Sequence, residues 1–316
     1  DTLIIRSSGP FDLAVLEKTL SSFGTINAYA LDLENLEDYK NMPKQGFGGL
    51  YRGLSDSFDA LEDTLTPTRT PKCILNVKVL TIYATPKTTI EWLQERVDLS
   101  ESPIKLAIHC MADFGNLDVL DGFDAAGVNW LALYDIDNLA TLDCKLLREG
   151  PLPGVLELDS DNLPTPKMPE QVIRHITSKH WEMLGISVSV WEELIKLSEE
   201  YNRIITTDVL RVYLPSDGSL PTSPVVIGGP IITGTLSILF PSTKQTVTRQ
   251  EITDMFDWAS RSFGELENLS VDTKPGAIDE TALVRSNQFV ITTAPIAMCV
   301  RVNGVKCLVS RAPRQW

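Results

Sequence analysis

Histidine is nearly absent from this 316-residue chain, which has three, and its five cysteines include no Cys-x-x-Cys pair. That excludes zinc ribbons and thioredoxin-like redox pairs. There is no G-x-S-x-G elbow, Walker loop or G-x-G-x-x-G fingerprint either. The longest uncharged stretch, 218–243, is broken by Pro221, Pro224, Gly228-Gly229-Pro230 and Pro241. A bilayer-crossing helix needs about 20 unbroken apolar residues, so the stretch reads as buried strands and no membrane partner is expected. No basic leader followed by an apolar core opens the chain, which starts at Asp1 and not at Met. Positive charge is in deficit, 28 Lys+Arg against 42 Asp+Glu for a net of −14, which argues against direct nucleic-acid binding.

What is present describes a globular chain. With 43% apolar and 22% charged residues, disorder throughout is excluded. The segment 149–169 carries Pro151, Pro153, Pro164, Pro166 and Pro169 and reads as a boundary. It divides the chain into an acidic α/β domain, 1–150, a Pro-rich linker, 151–169, and an α+β domain, 170–316. The expected fold class is α/β or α+β, with mixed sheets and covering helices. No repeat of fixed period is read.

Within the first domain, residues 1–85 suggest β-α-β-β-α-β, the ferredoxin-like or split βαβ order. It would comprise Thr2–Ser7, helix Phe11–Phe23, Ile26–Leu33, Phe47–Tyr51, helix Leu54–Leu65 and Cys73–Ala84. Ser22-Phe-Gly-Thr-Ile26 and Gln45-Gly-Phe-Gly-Gly-Leu-Tyr51 resemble an RNA-recognition motif in topology. Ile4, Ile5 and Gly49 stand where its base-stacking rings belong, so RNA binding is not implied. Further on, helices are expected over Thr88–Val97, Leu117–Ala126, Asn138–Leu147, Glu170–Leu184, Ser189–Tyr201 and Thr248–Phe263. The last opens with a capping box, Thr248 and Glu251. Leu283–Val309 should close the chain as an antiparallel meander. Its Asn303-Gly304 turn would put Val302 opposite Val305, Val300 opposite Cys307 and Cys299 opposite Leu308. That pairing keeps Cys299 and Cys307 apart, and five reduced thiols fit a reducing, cytoplasmic compartment or an assembled particle.

Charge is distributed unevenly. Residues 1–166 hold 26 acids and 13 bases, while residues 167–316 hold 16 acids and 15 bases. Eleven acids lie between Asp113 and Asp161, and after Glu280 there is none. A basic end carrying Arg301, Lys306, Arg311 and Arg314, with Trp316 as an aromatic anchor, could dock on the acidic middle of a neighbour. The functional expectation is a non-enzymatic structural or interaction subunit, partnered by itself or another protein, of the kind that builds a viral shell or scaffold.

Two motifs point elsewhere. Asp135-Ile-Asp137 after the apolar Trp130–Tyr134 resembles the metal motif of nucleotide-sugar glycosyltransferases, implying Mg²⁺ or Mn²⁺ on the two carboxylates. His109-Cys-Met-Ala-Asp113 resembles the His-x-x-x-Asp of an acyltransferase class, implying His109 as base and Asp113 as loop support. Each has a structural alternative: Asp137 as a helix cap and His109 as a strand residue. His175 and His180, five apart on one expected helix, could not share a metal.

Overall fold

The computed structural model describes residues 2–6, 22–34, 72–98, 104–109, 115–122, 127–136, 139–159, 166–221, 231–241, 246–263, 268–272, 297–302 and 305–310, with Leu16, Leu20, Lys244 and Leu266 between them. Strands follow in chain order: β1 Thr2–Arg6, β2 Thr25–Glu34, β3 Cys73–Tyr83, β4 Val97–Asp98, β5 Ile104–His109, β6 Val128–Tyr134 and β7 Val155–Asp159. Then come β8 His180–Ser187, β9 Ile205–Tyr213, β10 Ile231–Leu239, β11 Asn268–Asp272, β12 Ala297–Val302 and β13 Val305–Ser310. The helices are α1 Lys87–Arg96, α2 Lys145–Arg148, α3 Glu170–Ile176, α4 Val188–Glu200 and α5 Arg249–Ser262, with a 3-10 turn at Asp118–Gly122.

All thirteen strands belong to one sheet, ordered as they occur in the chain, with β4 set aside on β3. Each neighbouring pair is parallel except β12 with β13. The expected mixed sheets are therefore wrong. The ferredoxin-like reading of 1–85 fails because β1, β2 and β3 lie side by side and parallel, whereas a split βαβ alternates direction. Its Phe47–Tyr51 strand and Leu54–Leu65 helix lie outside the described residues. The antiparallel meander reduces to one hairpin, since β11 and β12 run parallel. Within that hairpin Val302 faces Val305, Val300 faces Cys307 and Cys299 faces Leu308, the register expected from Asn303-Gly304. Strand β7, paired on both sides, occupies part of the segment read as a linker.

A repeat underlies this order. Across the register, Leu31, Leu80, Leu106, Leu131, Leu156, Leu184, Leu210, Leu236 and Leu269 align in one row. From Leu80 to Leu236 the steps are 26, 25, 25, 28, 26 and 26 residues. Every leucine of the row is at most 2% exposed. Two residues on, Leu33, Ile82, Ile108, Leu133, Leu158, Ile186, Val212, Ile238 and Val271 form a second buried row. Three residues before the leucine, Val77, Val128, Trp181, Thr207 and Thr233 are also buried. The inward spacing is thus three, then two. The two threonines close their hydroxyls locally, Thr207 on the Val209 carbonyl and Thr233 on that of Thr235, both at 2.9 Å.

Between strands the chain returns on the leucine side through helices or turns. Helix α1 contributes buried Ile90, Trp92 and Leu93, α4 contributes Trp191, Leu194 and Ile195, and Leu16 and Leu20 join the same core. Helix α5 has the expected cap, Thr248 and Glu251 bonded reciprocally. The long helix expected over Glu170–Leu184 stops at Ile176. There the Thr177 and Ser178 hydroxyls take the carbonyls of Ile173 and His175 at 2.8 and 2.7 Å, and β8 begins. Of Asn138–Leu147 the described residues yield only the start of α2, and of Leu117–Ala126 only the 3-10 turn. Paired strands sit about 4.8 Å apart and packed helices about 8–10 Å. A stack of strand-and-return units must therefore curve, with the sheet on its inner side.

Two strands leave the sheet through left-handed residues at the same repeat position: Ala84 after Tyr83, φ 45°, and Asp135 after Tyr134, φ 49°. A β-carbon costs about 1–2 kcal/mol in this region. Ala84→Gly should raise stability by about 0.5–1 kcal/mol after the unfolded-state entropy of glycine is subtracted. Urea unfolding checks this, and a loss of stability would show that the Ala84 methyl has a packing role.

Candidate binding face

With the leucine rows turned toward the helices, the intervening side chains share the opposite sheet face. Position by position, one register row reads Thr81, Ala107, Ala132, Glu157, Gly185, Arg211 and Ser237. The next row toward the strand ends reads Tyr83, His109, Tyr134, Asp159, Ser187, Tyr213 and Leu239. Small residues in the first row leave room for large rings in the second.

Glu157 is the centre of this face. Its side chain has no solvent exposure, which for a carboxylate demands compensation. Four donors supply it. Arg211 Nη1 donates to Oε1 at 2.6 Å and the Tyr213 hydroxyl donates to the same oxygen at 2.8 Å. Trp130 Nε1 donates to Oε2 at 2.9 Å, joined there by the Tyr134 hydroxyl. Burial works to raise the Glu157 carboxyl's pKa, but these hydrogen bonds and the Arg211 charge outweigh it and hold the group below the usual glutamate range. Burial and the same carboxylate push both tyrosine hydroxyls well above their ordinary value, so they stay protonated donors.

Gly185 makes the arrangement possible. Arg211 on β9 reaches Glu157 on β7 across β8, and Gly185 is the β8 residue between them. A β-carbon there would lie 3.0 Å from Glu157 Cγ and 3.2 Å from Tyr213 Cε2. The absence of a side chain is what lets the two groups meet.

Beside this cluster runs a strip of rings on β3, β5 and β6. Tyr83 and His109 have centroids 6.3 Å apart, and His109 and Tyr134 4.7 Å. Tyr134 meets Tyr213 edge-on at 6.4 Å. Lys105 Nζ sits 3.8 Å over the Trp130 ring. Burial pushes the His109 imidazole below its ordinary pKa, opposed by Asp135 and reinforced by Lys105, so the ring is neutral at pH 7.

The structure brings together some of the residues singled out from the sequence and leaves others apart. His109 is a strand residue stacked between tyrosines. Asp113, which would support it in an acyltransferase, lies outside the described residues, as does Asp137. Asp135 is exposed at the end of β6, its N–H donating to the Asp159 carbonyl at 3.0 Å. No cluster of three metal-ligating side chains occurs among the described residues. Arg301 and Lys306 are register partners in the last hairpin, while Arg311, Arg314 and Trp316 lie outside the described residues. His175 Nε2 lies 2.6 Å from the Gly150 carbonyl, and His180 pairs with Asp208 at 2.7 Å from strand β8, not from a helix. Cys73 and Cys144 are free and buried; burial pushes the Cys144 thiol up to about 11, which leaves it unreactive.

Sequence reasoning missed Glu157, Arg211, Tyr213 and Gly185. They are 54 and 56 residues apart in the outer pairs, and only the register joins them. The signal that could have found them is the leucine step of about 26: Glu157, Gly185 and Arg211 each follow a row leucine directly. Among the described residues no helix is long and apolar enough to cross a membrane. Comparison with protein-family models, with curated proteins and with solved structures finds no match for this chain.

Proposed function

We propose that this protein is a non-enzymatic interaction module, a curved solenoid whose open sheet face holds a protein partner. The observation that carries the reading is the ring-and-charge face built on a strand-sequential parallel sheet. A strand every 25–28 residues from Leu80 to Leu236, several of them followed by a helical return, with leucines at fixed inward positions, resembles the leucine-rich-repeat kind of solenoid. Such stacks present extended inner surfaces suited to another macromolecule. Tyrosine, tryptophan and arginine, the residues that dominate binding energy at interfaces, occupy the middle of this one. Glu157, with both oxygens taken by two donors each, has no capacity left to act as a base, so its chemistry is positional.

The acidic middle, read from the sequence as a docking surface, is heterogeneous. Glu157 is buried, Asp143 is paired with Arg148 at 2.6 Å, and Asp121 accepts the Lys145 N–H at 2.6 Å. Asp135 instead stands exposed at the end of β6 beside the ring strip, which supports a docking role for it.

Thr81→Arg with Thr235→Arg places bulk on two half-buried positions of the face, and Lys196→Glu reverses an exposed charge on α4. Proteins cross-linked to the wild-type chain in a cell extract should be lost by the face variant and kept by the helix variant. Equal capture by both would sink the reading. A doubled mass in light scattering that collapses in the face variant would identify the partner as a second copy.

A further inference from the structure

Past the ends of β9 and β10 the chain forms a cavity of about 430 Å³, within the size range of small-molecule sites. The loop after β9 gives it Asp217 and Leu220, the residue directly after β10 gives Phe240, and the first two turns of α5 give Glu251, Asp254 and Met255. None of these belongs to the ring face. Met255 and Phe240 are buried, and Leu220 is half-buried against the same core. The carboxylates are the open part of the lining: Asp217 and Asp254 are exposed and Glu251 is half-buried.

One ammonium is already seated beside the cavity. Lys244 Nζ donates to Glu251 Oε1 at 2.6 Å and to the Asp217 carbonyl at 3.4 Å. A β-carbon on Gly218 would lie 3.2 Å from Lys244 Nζ and 3.5 Å from Phe240 Cε1, so ammonium and ring edge both border that residue. Three lining carboxylates against this lysine leave acid in excess among the described residues. The Ser219 N–H donates to Asp217 Oδ1 at 2.8 Å, and the Ser219 bonds hold the Asp217 carboxyl below the usual aspartate range. Burial works to raise the Glu251 carboxyl, but Lys244 and Thr248 outweigh it. Asp254 accepts the Gln250 amide at 2.7 Å and makes no ion pair among the described residues.

We infer that this cavity binds a small organic primary amine, its apolar body against Leu220, Phe240 and Met255 and its ammonium on Asp217 and Asp254. Burial of the body on apolar side chains supplies the affinity that is not charge. The ammonium brings three donors to carboxylates, as Lys244 does on Glu251. A quaternary ammonium has no N–H for them and needs ring faces, of which the described lining offers Phe240. An anionic ligand meets like charge. The site goes beyond the interaction-module reading and shares no residue with the ring face.

The test is a ligand-observed NMR titration of 2-phenylethylamine against the full chain at pH 7 and about 0.15 M salt. Matched probes are 2-phenylethanol, 3-phenylpropionate and the N-trimethylated amine. The amine should bind, the alcohol and the trimethylated amine several-fold more weakly, and the carboxylate not at all. The double variant Asp217→Asn with Asp254→Asn keeps an acceptor for the Ser219 N–H and should weaken amine binding about tenfold, the scale of one charge-assisted hydrogen bond. Leu220→Ala should weaken amine and alcohol alike by about three- to tenfold, because it removes only apolar contact. Glu200→Gln, an exposed acid at the end of α4, should leave binding unchanged, and thermal unfolding confirms that each variant is folded. No binding of the amine, equal binding of the alcohol or the carboxylate, or full binding by the folded double variant overturns the amine assignment. Equal loss in Glu200→Gln overturns the placement at this cavity. Tighter binding of a hexalysine peptide than of the amine overturns the choice of a small molecule. None of these outcomes touches the cross-linking result, so the two proposals fail separately.

Discussion

Glu157→Ala should destabilise the fold by about 3–5 kcal/mol, the cost of leaving a buried charge uncompensated. The carboxylate is the shared acceptor of Arg211, Tyr213, Trp130 and Tyr134. Its removal strands a half-buried guanidinium and three polar hydrogens, each costing about 1–3 kcal/mol where water cannot enter. Arg211→Met should be damaging for the mirror-image reason, a carboxylate with no solvent exposure and no cation beside it. The pair separates this account from simple packing loss. A chain carrying both Glu157→Ala and Arg211→Met buries no charge there, and its destabilisation should fall well below the sum of the singles. Urea unfolding followed by circular dichroism measures all four corners, and additive losses would refute the charge account.

The same carboxylate predicts an acid sensitivity of definite sign. Its folded-state pKa lies below the usual glutamate value, so the unfolded chain binds the proton more readily. The stabilisation is complete above about pH 4.3, the unfolded value. It is lost as pH falls through the folded value. Glu157→Gln should flatten that part of the stability profile.

These groups mark where sequence reading stops. Local signals were legible: the Thr248–Glu251 cap, helix α4 within a residue of its expected start, and the Cys299–Leu308 register of the final hairpin. Each depends on contacts a few residues apart. The parallel sheet was not legible, because its pairing is set by positions about 26 residues distant and its step wanders between 25 and 28. Irregular returns hide the period. Trp181 shows the consequence: with Ile173 and Ile176 upstream it falls on a helix-like pattern, yet it is a strand residue with no solvent exposure. Asp135 and His109 were singled out for catalytic motifs whose other members, Asp137 and Asp113, lie outside the described residues; the structure puts these two at the ends of neighbouring strands, β6 and β5.

The repeat itself makes the second large prediction. Leu184 lies in β8, with β1–β7 to one side and β9–β13 to the other, and is 1% exposed. Leu184→Ala should cost about 2–5 kcal/mol, transfer plus cavity. More telling is the form of unfolding. In a stack whose units touch only their neighbours, stability is a sum of unit and interface terms. A weak central interface therefore uncouples the two ends, and one thermal transition should become two. Leu269→Ala, near one end, should lower one edge of the melt without splitting it. A single transition shifted as a whole by Leu184→Ala would show cooperativity beyond nearest neighbours. The Arg211–Glu157 pair spans β8 from β9 to β7, and is the one ion pair among the described residues that skips a strand of the sheet. It fastens the two halves independently of the leucine row. Combining Leu184→Ala with Glu157→Ala should therefore separate the transitions further than either change alone, by more than their separate effects on each half.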